Sequence, residues 1–342
     1  MKKHLVMASV LSVLGAGGVL AQGGGLATPK CAPGGFVAGT IPDATKAAQD
    51  ACQQAYDVYQ FMSPQLGLAL AGGNATAGQG GVLGGLGHFS LGVRGNVFSG
   101  KLPRVDQFTQ STDGAQQREL PVKNQVLGLP TADAAIGLFK GIPLAVTNVG
   151  GIDALVSASY VPTIDGDDFS ITPENNWQFG WGARVGLLSE SIVVPAVSVT
   201  WIERDLPTTQ MQGSSSGATL RIDNFKVKTE AWRVVVSKNL IMFGIAAGVG
   251  QDRYKQSAKI SAIVQNATFC GVGGCPSPVL DATQDLTRTN AFVDLSLNLP
   301  FFKVVLEGGQ ASGGDVDTYN SFAGTRADRS QVYGSLGLRL TY

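Results

Sequence analysis

The sequence predicts an all-β fold, a transmembrane antiparallel β-barrel of about 10–12 strands behind a short N-terminal helical segment. Three observations carry this. Segments of roughly 10–13 residues alternate apolar and polar positions along most of the chain. Charged residues make up only 15% of it, well below the roughly 25% of an ordinary soluble domain. The last residue, Tyr342, ends an alternating segment on an aromatic ring.

The first element is an address. Lys2 and Lys3 precede an apolar run from Leu5 to Leu20, and Val19 and Ala21 stand at the small-residue positions of a cleavage site. This layout predicts a secretory signal peptide over residues 1–21 and a mature start at Gln22. The four cysteines agree with export, because an even count in an oxidising compartment favours disulfides. Their spacing suggests Cys31 with Cys52 and Cys270 with Cys275, although four cysteines allow three connectivities. No metal site or cofactor is expected from so few histidines.

Residues 22–64 read differently from the rest. Pro42 and Asp43 can open a helix, and Ala44, Ala47, Ala48, Ala51, Ala55, Val58, Tyr59 and Met62 recur at helical spacing. Pro64 is expected to stop it. Such a helix would plug the lumen, cover the periplasmic mouth or pack on the barrel rim.

Residues 65–342 are expected to form the barrel. From Trp177 to Leu187 the odd positions are Trp, Phe, Trp, Ala, Val and Leu, and the even ones Gln, Gly, Gly, Arg and Gly. Strict alternation puts these sets on opposite faces of a strand. The same division recurs around Phe89–Val97, Val193–Trp201, Trp232–Val236, Ile241–Val249, Ala291–Leu299 and Phe302–Leu306. Soluble strands are commonly about 5–6 residues long, whereas a tilted bilayer-spanning strand needs roughly 9–11. Connectors alternate between long (99–130, 161–176, 203–224, 255–285, 313–328) and short (147–150, 188–191, 237–239, 298–301). Ten strands follow from Leu86 onward, and the stretches 66–70 and 257–266 would add two more.

The polar faces name candidate lumen residues: Arg94, Arg184, Arg233, Asp252, Arg288, Asp294, Lys303, Glu307 and Arg339, with Asp153. In a narrow interior these opposite charges should pair, because a buried unpaired charge is costly. A charge-selective constriction is the alternative.

The last segment places Val332, Gly334, Leu336, Leu338, Leu340 and Tyr342 on one face. It resembles the terminal-strand signal of outer-membrane β-barrels of Gram-negative bacteria. That resemblance implies residence in the cell outer membrane, with its lipid and the barrel assembly machinery as partners. The helix, the small-residue stretch 71–87 and the following barrel are loosely similar to the long-chain fatty-acid transporter family. This would imply a hydrophobic ligand leaving sideways through the wall.

Catalytic patterns are few. Gly213, Ser215 and Gly217 match G-x-S-x-G, but in a serine run without a strand-to-helix elbow. Asp165, Asp167 and Asp168 lack the spacing of a calcium loop. His88 and Ser90 are similar to the His-x-Ser of the outer-membrane phospholipase family, here on a face shared with Arg94 and Asn96. The 25 basic and 25 acidic residues balance, which excludes the basic excess of a nucleic-acid binder. The chain therefore reads as a porin-like passive conduit for small, apolar molecules and not as an enzyme. A structural or surface-interaction barrel is the alternative, and a phospholipase-like enzyme a distant third.

Overall fold

The computed structural model describes residues 27–31, 43–144, 146–166, 169–215, 217–265, 270 and 273–342. The expected signal peptide lies outside them.

Ten long strands form one antiparallel sheet that closes on itself: β1 (Phe89–Pro103), β2 (Val122–Phe139), β3 (Gly151–Tyr160), β4 (Trp177–Leu188), β5 (Ala196–Asp205), β6 (Ala218–Leu240), β7 (Phe243–Val264), β8 (Leu280–Asn298), β9 (Lys303–Ser312) and β10 (Gln331–Thr341). Each pairs with its sequence neighbour, and β10 returns to β1 with Leu91 opposite Leu340 and Phe98 opposite Tyr333. Closure removes every sheet edge, the condition for strands surrounded by lipid, where a free peptide group finds no water.

Apolar side chains stand outward on these strands. Val93, Phe179, Trp181, Ile245, Leu295 and Leu336 are all exposed, while the alternate positions are buried inside. Aromatic residues edge this belt. At one end Phe89 stacks on Tyr342, with ring centroids 5.5 Å apart. At the other, Tyr160 meets Trp177 at 5.0 Å and Trp181 meets Trp201 edge-on at 4.8 Å. Past Trp201 and Trp232, the outer face turns to ion pairs, Lys228–Glu203 at 2.7 Å and Lys255–Glu230 at 2.9 Å. That switch limits the apolar belt, and the 23 residues of β6 and 22 of β7 carry the wall well beyond it.

The short connectors lie at the Tyr342 end, and the long ones at the other. The connector from β2 to β3 adds a small hairpin, Ile142–Leu144 against Thr147–Val149. Neither expected extra strand forms. The 257–264 stretch prolongs β7, and Leu66, Leu68 and Leu70 belong to helix α1 (Asp43–Ala71).

Pro64 does not stop that helix, and the physical reason is a neighbour. Proline cannot donate to the Gln60 carbonyl, but Gln284 Nε2 of β8 approaches that carbonyl at 3.4 Å. The helix instead ends at Gly72 and Gly73, the latter at φ +85°, where only glycine is free of strain.

Candidate functional site

The interior of the barrel is occupied by the chain's own N-terminal part. Most of α1 is buried, including its polar residues Asp50, Gln53, Gln54, Asp57, Ser63 and Gln65. Its amphipathic pattern fails as a guide to burial because the helix is enclosed on more than one side. Tyr59 meets Phe225 edge-on, and Phe61 stacks on Phe322 at 4.0 Å. Gly67 lies against the ring of buried Tyr254, and a Cβ there would sit 2.5 Å from a ring carbon. The Cys31–Cys52 disulfide ties the preceding residues to the helix, and Cys270–Cys275 closes a loop between β7 and β8.

The long loops are bonded to the helix. Asp50 accepts from the Ser111 and Gln116 N–H groups at 2.7 and 3.1 Å and from Arg118 at 3.0 Å. Asp57 accepts from the Tyr319 and Asn320 N–H groups, both at 3.0 Å, and from Asn320 Nδ2 at 2.7 Å. Burial nevertheless dominates these bonds, raising the Asp57 carboxyl to about 6 and lifting Asp50 above its ordinary range. A two-residue parallel ladder, Glu119–Leu120 with Ser321–Phe322, joins two of the loops. Together they roof the long-loop end.

After α1, residues 72–87 cross the lumen as an irregular strap to the start of β1. A buried irregular backbone must find hydrogen bonds, and the wall's charged side chains supply them. Arg94 and Asn96 donate to the Gly72 carbonyl at 2.7 and 2.6 Å. Asn74 N–H donates to Glu307 at 2.7 Å, while Asn74 Nδ2 and Gly78 N–H donate to Asp294 at 2.9 and 3.0 Å. Arg339 donates to the Thr76 and Ala77 carbonyls. Gly80 N–H reaches Ser237 at 2.8 Å, and Leu83 N–H reaches Asp153 at 3.2 Å. Val82 packs where Gly151 and Gly186 leave the wall without side chains.

The expected lumen residues are therefore placed inward, but half of the expected pairing is different. Arg184 holds Asp153 through Nε and Nη2 at 2.9 and 2.6 Å, and Arg233 pairs with Asp252. Arg288 stands opposite Asp252 in register yet bonds to Gln331 and to the Ala311 and Arg329 carbonyls instead. Asp294 and Glu307, also opposite one another, take up strap amides. Lys303 lies only partly buried near the short-turn end, bonded to Asn239 Oδ1 at 3.0 Å. Asp133 and Arg204 were not singled out in the sequence, though both fall on inward positions of alternating runs. Asp133 joins Arg94 at 2.6 Å and Arg204 at 3.3 Å.

His88 corrects another expectation. It is exposed ahead of β1, whereas Ser90 is buried, so the two do not form a lumenal pair. Ser215 bonds to Gln110 within a loop-end strand, with no elbow around it. Among the described residues no group of three His, Cys, Asp or Glu side chains is arranged to hold a metal ion.

No protein-family model and no curated protein matches this chain. Among solved structures it is similar to Ail, the attachment invasion locus protein of Yersinia pestis, at 10% identity over 75% of this chain and 99% of that one, with a TM-score of 0.27. It is similar to the translocator domain of the autotransporter NalP from Neisseria meningitidis at 9% identity, covering 74% of this chain and 87% of that one, TM-score 0.34. A deletion mutant of the monoaromatic hydrocarbon channel TodX gives 12% identity, 80% and 74% coverage and a TM-score of 0.32. Likeness at this level transfers no activity.

Proposed function

We propose that the protein is an outer-membrane β-barrel, exported through a cleaved signal peptide, that is closed by its own N-terminal segment and works through its long loops at the cell surface. The strap carries this reading. At least eight of its backbone groups between Gly72 and Leu83 are bonded to wall side chains, and the described cavity beside it holds only about 20 Å³. On this reading the short turns face the periplasm and the roofed end faces outward. Tyr342, Leu340 and Leu338 form the segment offered to the assembly machinery. Planar-bilayer conductance and liposome swelling test the closed state. The intact mature protein should pass neither ions nor small solutes, and a variant lacking residues 22–87, helix and strap together, should pass both. Steady conductance through the intact protein would end the closed-barrel reading.

A second reading, a conduit for small apolar molecules, is favoured by one observation. An apolar groove of about 610 Å³ runs over the lipid-facing side of β10, β1, β2 and β3, and Gly92, Val93, Asp133, Ala134, Leu338 and Arg339 line both it and the inner cavity. The wall between lipid and lumen is thin there. Co-purification of an apolar ligand, lost when Ala134→Phe fills the groove, would support it.

A further inference from the structure

The chain runs through its own barrel in one direction, and its contacts along β6 show which. That strand descends from the long-loop end to a short turn. Tyr59 of α1 meets Phe225, Ala71 accepts from Arg233 and Gly80 of the strap donates to Ser237. Each later residue of the segment therefore lies nearer the short turns. Leu83 then reaches Asp153 beside the start of β3, and β1 begins at Phe89 against Tyr342. The helix starts under the roof, and the strap ends at the opposite mouth.

The described residues just ahead of α1 are held at the roof as well. The Lys30 and Cys31 N–H groups both donate to Gln53 Oε1, at 2.6 and 3.4 Å, and Cys31 is bridged to Cys52. The neighbouring Gln54 donates to the Thr109 carbonyl at 2.7 Å, and Asp57 takes the amides of Tyr319 and Asn320. Thr109 and Asn320 belong to two different long connectors. A return to the short turns is excluded by length. From Cys52 to Ala71 the helix alone rises about 29 Å along its axis, and the strap continues past Ser237. Fully extended, the chain from Gln22 to Lys30 spans at most about 29 Å, and the lumen it would have to re-enter is filled.

We propose that the barrel passes the N-terminal segment of its own chain through the lumen and presents it on the cell surface, leaving α1 and the strap behind as tether and seal. The inference rests on the export and orientation proposed above. Passage precedes sealing. Asp50 and Asp57 are buried carboxylates that take backbone amides of the long loops, so the segment is fixed only once it and the loops have assembled on the same side of the membrane. The Cys31–Cys52 bridge then fastens the exported residues to the helix.

The native protein in intact cells carries its own probes. Lys30 precedes α1, Lys123 lies on the long-loop part of β2 and Lys140 on the short connector after it, and all three are exposed. A membrane-impermeant amine-reactive reagent is applied to cells whose periplasmic proteins stay unlabelled, and the modified lysines are read by peptide mass spectrometry. Lys30 and Lys123 should be modified, and Lys140 only after the outer membrane is permeabilised. Labelling of Lys123 while Lys30 waits for permeabilisation overturns the proposal and leaves the orientation standing. Labelling of Lys140 but not Lys123 on intact cells reverses the orientation and takes the proposal with it. An epitope inserted between Ala27 and Thr28 gives a second readout in barrels shown to be folded by heat-dependent gel mobility. Antibody should bind it on intact cells, and binding confined to permeabilised cells would equally overturn the proposal.

Discussion

Arg233 of β6 donates to the carbonyl of Ala71, the last residue of α1, at 2.9 Å while its other Nη holds Asp252. The last carbonyls of a helix lack helical partners and carry its negative dipole end, so a wall cation terminates the plug. The same side chain neutralises a carboxylate that is fully buried. Wall and plug are in this way one electrostatic unit.

Removing that cation should be expensive. Arg233→Met leaves Asp252 buried without its partner and the Ala71 carbonyl without its donor, at a cost of about 3–5 kcal/mol. Urea unfolding in detergent measures it, and Arg233→Met with Asp252→Leu should recover more than half. A single-variant cost below about 1 kcal/mol, the range of exposed pairs, would show that the pair contributes little.

The attachment of the roof to α1 should depend on pH. Asp57 is raised from 3.8 to about 6 in the folded protein, chiefly by burial. A raised folded value means that the native state holds the proton more tightly. The stabilisation is therefore complete below about pH 4 and is lost as pH rises through about 6, by at most about 3 kcal/mol. Hydrogen exchange of the α1 amides between pH 4 and 7 should show the decline, and Asp57→Asn should flatten it. An equal slope in both proteins assigns the effect elsewhere.

The two disulfides should differ in weight. Cys31–Cys52 spans 21 residues and Cys270–Cys275 only 5. Loop-closure entropy then gives about 3 kcal/mol for the first and about 2 for the second. Replacing each pair by serine should lower thermal stability in that order. Only loss of the first should free the N-terminal end of α1 to protease.

At Gly67 the helix lies directly against the ring of Tyr254 in the wall. Gly67→Val drives its side chain into Tyr254, which is fully buried and cannot swing to solvent. Overpacking of this kind costs roughly 1–3 kcal/mol. An unaltered unfolding midpoint would mean that the helix can shift within the lumen.

Much of the barrel was legible in the residues because lipid and lumen impose a period of two on every strand. Trp177 to Leu187 alternates in the sequence and alternates in exposure, and the ten strands follow the long and short connectors. The helix was legible in its start, since Asp43 opens it, and misread at its end. Pro64 carries a local rule that a distant amide, Gln284, overrides. The stretch Leu66 to Leu70 fits either period over so few positions, and only enclosure in the lumen made it helical.

The inward charges show the same limit. Their face follows from alternation, but their partners do not, because half of them bond to backbone groups of residues 72–83, and backbone groups leave no trace in residue identity. The sequence by itself determined which side of each strand meets lipid, bounded the strands at ten to twelve and suggested the cysteine pairs by their spacing. The tertiary structure alone decided that the lumen is filled, since that depends on where α1 and the strap pass relative to the wall. Periodicity is a local property of one strand. Occupancy of the space that the strands enclose is a property of all ten together.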